Sequence, residues 1–165
     1  MTSTDIRLLL DYHYWARDRL LDAVSEIGSD EFLAPRGSSF SSIRDTLAHT
    51  YFAEWAWYER WTGNSPSALP DPGRFADNAS LRSAWEELEA NVRGLIEPLS
   101  DADLQQAKDY RLFSGAAGSS VMWQMVQHVV NHASYHRGQV TTMLRQAGAR
   151  PPKSMDLIAF YRERA

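Results

Sequence analysis

The chain has 165 residues, enough for one domain with a substantial core of its own. It contains no cysteine, which excludes disulfides, thiolate metal sites and cysteine nucleophiles and leaves nitrogen and oxygen as its metal-ligating atoms. With 17 Lys and Arg against 21 Asp and Glu it lacks the basic excess that draws nucleic acid, and no apolar run approaches the about 18 residues of a membrane span, so the expectation is a cytoplasmic protein with neither partner.

Apolar residues recur at intervals of three and four in four long segments, while no stretch sustains the alternation of a strand with hairpin signals at both ends. This predicts an all-α fold, a single domain over 1–165. The first helix is expected over roughly 4–27, with Ile6, Leu10, Tyr14, Leu21 and Val24 on its apolar side and Gly28 as a left-handed stop. The second opens at "SSIRD", where Ser41 or Ser42 can cap and Asp45 favours the positive helix end, and runs to about Trp61.

"TGNSPSALPDPGRFADN" follows, too long for a tight turn and rich in Pro, Gly and Asn, which predicts a long crossover connection. The third helix is expected from near Ser80 to Pro98, which only a helix end tolerates. After it, "KDYRLFSG" suggests a short hairpin before a serine cap starts the fourth helix at about 120. That helix stops at "QAGARPPK", and "SMDLIAFYRERA" reads as a short C-terminal helix.

The fourth helix contains "VMWQMVQHVVNHASYHRGQV", with His128, His132 and His136 at every fourth position. Residues four apart on a helix lie within about 40° and about 6 Å of each other, so two such imidazoles can grip one ion. All three span about 12 Å, too far for one ion held at about 2.0–2.2 Å. Val121, Met125 and Met143 share this face, so the ladder is expected to look into the core. For a third ligand His49 is the better candidate, because Ala53 and Ala56 beside it leave room for an ion. His13, among polar neighbours, is expected to be partly exposed and outside the site.

Three neutral imidazoles suit zinc, nickel or iron and leave coordination positions open. The Glu-x-x-His pairs of ferritin-type di-iron bundles are absent, since Leu10, Thr46, Met125, Val129 and Ala133 precede the histidines by three. The pairs "HVVNH" and "HASYH" also lack the glutamate of a zincin. No general base stands out among Tyr12, Glu54, His128 and Tyr135, and Glu54 lies about 140° around its helix from His49, which suits a structural role.

At "HVVNHASYHRGQV", "SSIRDTLAHTYFAEWAWYERWTG", "YHYWARDRLLDAV" and the closing "MDLIAFYRE", the sequence resembles the DinB superfamily of DinB/YfiT-like metalloenzymes, over nearly the whole chain and in the right order. The resemblance implies a four-helix bundle of up, down, down, up type with a divalent metal ion between the second and fourth helices. By matching positions its ligands are His49, His132 and His136, with His128 one turn earlier facing the substrate, supporting the ligands from behind or merely filling space. Members include enzymes that use low-molecular-weight thiols, such as thiol S-transferases and a mycothiol-dependent maleylpyruvate isomerase, alongside proposed hydrolases, and the superfamily often forms homodimers.

The expected function is therefore a metal-dependent enzyme acting on a small molecule, of thiol-dependent transferase or hydrolase type, with the catalytic residues unassigned. The alternative is a bundle that binds a metal or small molecule without chemistry.

Overall fold

The computed structural model describes all residues, Met1–Ala165. It is mostly helical: α1 (Ser3–Ser25), α2 (Ser29–Leu33), α3 (Ile43–Trp61), α4 (Asn78–Ile96), α5 (Asp101–Leu104), the strands β1 (Ala107–Arg111) and β2 (Ala117–Val121), α6 (Met122–Gln146) and α7 (Leu157–Arg164). Local chemistry fixes where the long helices begin. Thr2 and Asp5 form a reciprocal capping box at α1, and Ser42 Oγ accepts from Asp45 N at 3.1 Å at α3. Asp77 and Ser80 cap α4 in the same reciprocal way, so that helix starts two residues before the serine.

Each long helix buries one apolar face. Leu10, Leu21, Leu47, Phe52, Leu81, Trp85, Val126 and Val140 belong to one continuous core drawn from α1, α3, α4 and α6. In this core α1 and α3 each pack against both α4 and α6. Thr46 and Thr50 are buried on α3 without loss, because their hydroxyls donate to the carbonyls of Ser42 and Thr46 at 2.9 and 2.8 Å. The connection from α3 to α4 crosses from residue 62 to 77 with only a 3₁₀ turn, Pro72–Arg74, inside it.

The hairpin is antiparallel and lies against the end of α3, where Lys108 Nζ donates to the Trp61 carbonyl at 2.8 Å. Tyr110 pairs with Gly118 across it, and a Cβ at 118 would lie 2.7 Å from the tyrosine ring, so the ring lies over the glycine and would have to move aside for any larger residue.

Several expectations are corrected. Gly28 is not a left-handed stop: it has φ of −72° and caps the start of α2, a helix too short to show a periodic signal. The equally short α5 escaped the pattern for the same reason. No serine caps α6; Ser119 and Ser120 are spent in β2, and Val121 precedes the helix without a side-chain cap. The histidine ladder runs out of the core rather than into it, from buried His136 through half-buried His132 to exposed His128. His13 is completely buried.

Candidate metal centre

The centre is built from two helices. His49 comes from the middle of α3, and His132 and His136 come from successive turns of α6, the neighbour against which α3 packs. The Nε2 of His132 lies 3.2 Å from Nε2 of His49 and 3.0 Å from Nε2 of His136. The three residues can offer ligand atoms that all lie within 4.8 Å of one another.

A neutral imidazole carries one N–H, and that of His136 is held at Nδ1 by Gln139, so a protonated His132 Nε2 serves only one of its two neighbours and a bare one faces His136 Nε2 lone pair to lone pair. Two nitrogens bound to one ion at about 2.1 Å, at angles of about 90–109°, stand about 3.0–3.4 Å apart. The two separations from His132, 3.2 and 3.0 Å, fall in that range, so the set could hold a divalent ion.

The surroundings keep the imidazoles neutral. Burial pushes His49 down to about 4, helped by the neighbouring His136. Burial likewise pushes His132 down to about 4, with His136, His49 and His128 adding repulsion. His136 is also lowered by burial, against the hydrogen bond to Gln139. With unprotonated rings at neutral pH, lone pairs are available for an ion.

Two groups around the centre were not anticipated. Gln139 Oε1 accepts from His136 Nδ1 at 2.7 Å, which fixes the tautomer and leaves Nε2 free to bind. Its amide donates in turn to Ser39 Oγ at 3.3 Å. Phe40 stacks on His49 with centroids 4.1 Å apart and meets the edge of His136 at 5.6 Å. Gln139 was detectable as the polar residue three places after His136 on one helix. Phe40 lies in the irregular segment before α3, where periodicity carries no signal.

His128 is not brought into the trio. Its ring lies 5.9 Å from His132 and 5.3 Å from Trp57, which places it at the exposed edge of the site. Burial and then the Arg60 charge lower its pKa. His13 is elsewhere: its Nε2 donates to Glu54 Oε2 at 2.9 Å, while Tyr14 OH and Trp85 Nε1 donate to the same carboxylate at 2.8 and 2.7 Å. This buried cluster ties α1, α3 and α4 together on the side of α3 away from His49. Burial raises the Glu54 pKa, but His13 and the bonds from Trp85 and Tyr14 outweigh it and the net shift is downward.

A helical protein with a three-histidine centre between two packed helices is the class that these observations define. The comparisons narrow it: the model of the DinB family matches residues 1–163, and the chain belongs to that family. It is 29% identical over 169 residues to protein DinB of Bacillus subtilis (strain 168), covering 92% of each chain. A crystal structure of a DinB-like protein from Bacillus cereus ATCC 10987 has a similar fold, with a TM-score of 0.66 at 16% identity over 88% of this chain and 95% of that one.

Proposed function

We propose that this protein is a divalent-metal-dependent enzyme acting on a small molecule, with His49, His132 and His136 as the metal ligands. The observation that carries the reading is the convergence of three neutral imidazoles, with no carboxylate in the group, on a spacing suited to one ion. Zinc, nickel or iron suits such a set. A divalent ion held there would supply Lewis acidity and favour the anionic form of a bound water or thiol.

The chain's own residues do the rest. Gln139 holds the His136 tautomer, Phe40 shields the His49 ring from water, and exposed His128 beside Trp57 stands where an incoming molecule would pass. Because the chain has no cysteine, any sulfur in the reaction belongs to a low-molecular-weight thiol cosubstrate. A thiol-dependent transferase is the leading reaction type and a hydrolase the second. An up, down, down, up course of the four long helices and a homodimer complete the reading, and light scattering tests the latter.

Elemental analysis of the purified protein is the first test. The expected result is one divalent ion per chain, lost in His132→Ala while the helical circular dichroism persists; equal metal content in the two would contradict the assignment. A screen of thiols against electrophilic acceptors then tests the activity, and no turnover with any pair would favour metal binding without chemistry.

A further inference from the structure

A second concave feature lies on the far side of α6. At about 100° per residue, Ser134, Arg137, Gly138, Thr141 and Arg145 form a stripe turned by about 175° from that of His132 and His136. The stripe and the loop carrying Lys153 and Ser154 line a cleft of about 420 Å³, within the range of small-molecule sites. None of the three converging histidines borders it.

Arg137 is the group that needs explaining. Its residue is only 5% exposed, and its hydrogen-bond partners are two neutral hydroxyls, Ser134 Oγ at 2.6 Å and Tyr12 OH at 3.5 Å. Those hydroxyls give their own protons to the carbonyls of Val130 and Met155, so they turn lone pairs toward the guanidinium. Arg17, buried to the same degree, pairs with Asp18 and Glu89. Arg137 forms no ion pair, and the buried Glu54 carboxylate acts on it only from beyond contact distance.

The rest of the cleft has the same sign. Arg145 and Lys153 border it, both exposed and neither in an ion pair, against one carboxylate, Asp156, which accepts from the Ser154 hydroxyl at 3.1 Å. The first turn of α7 begins at this rim without a side-chain cap, adding the positive end of a helix dipole. In the middle, Gly138 borders open space, since a Cβ there would meet nothing within 4 Å.

We propose that this cleft binds a small molecule through a phosphoryl or carboxylate group, with Arg137 as the buried counter-charge and Arg145 and Lys153 as the outer contacts. Guanidinium forks suit either oxyanion. The site is separate from the histidine centre and does not rest on the metal assignment.

Calorimetric titration of the purified protein at fixed ionic strength, with inorganic phosphate and separately with acetate, tests it. Saturable one-to-one binding of at least one anion is expected, and the stronger of the two identifies the group recognised. His132→Ala should leave it unchanged. The double variant Arg145→Ala/Lys153→Ala should weaken it at least tenfold, as should Gly138→Leu, which places a side chain in the cleft. Arg137→Gln should do the same, and if that variant misfolds Gly138→Leu carries the test. Absence of saturable binding by either anion, binding untouched by Gly138→Leu, or binding lost in His132→Ala would overturn the proposal.

Discussion

At the scale of single residues, the proposed centre depends on a neighbour as much as on its three histidines. Gln139 holds His136 in the tautomer that presents Nε2, and loss of such a partner costs about 10–100-fold in metal affinity. Gln139→Ala should therefore weaken divalent metal binding by that factor in competition with a chelator, without changing stoichiometry. Glu54 is the other decisive residue. Glu54→Ala strands His13, Tyr14 and Trp85 in the core and should lower stability by about 3–5 kcal/mol in urea unfolding. The spacing of the α6 histidines and the small side chains beside His49 were readable in the sequence. The preference for His132 and His136 over the earlier pair came from the family pattern. His13 was misjudged because its polar neighbours suggested solvent, whereas its partner lies 41 residues away.

At the scale of elements, the hydrophobic period located the four long helices to within about two residues, and a capping residue marked the start of α3. Ser42 illustrates why: it is a serine just ahead of an apolar run and also the observed cap. Ser42→Ala should cost about 1 kcal/mol, read as a fall in the urea midpoint with the slope unchanged. What escaped were α2 and α5, each of about one turn, and the way α6 starts directly from a strand. Elements this short are held by their packing against the long helices and leave no period to read. A short hairpin was readable around "KDYRLFSG", but the contact of Tyr110 with Gly118 appears only once the register is known.

At the scale of the whole molecule, the buried carboxylate makes folding sensitive to acid. Glu54 has a folded-state pKa below its ordinary value of 4.5, so its contribution is complete above that pH and is lost as the pH falls through the depressed value. Thermal unfolding midpoints should drop below pH of about 4.5 in the wild type, and Glu54→Gln, less stable at neutral pH, should show a shallower drop. The Glu54 cluster braces one side of α3, and the packing of α3 on α6 brings His49 to the pair on α6. X-ray absorption at the edge of the bound metal tests this convergence most directly. Three imidazole nitrogens at about 2.0–2.1 Å are predicted for the wild type, and one fewer for His49→Ala. A spectrum without imidazole scattering, or one that His49→Ala leaves unchanged, would contradict it.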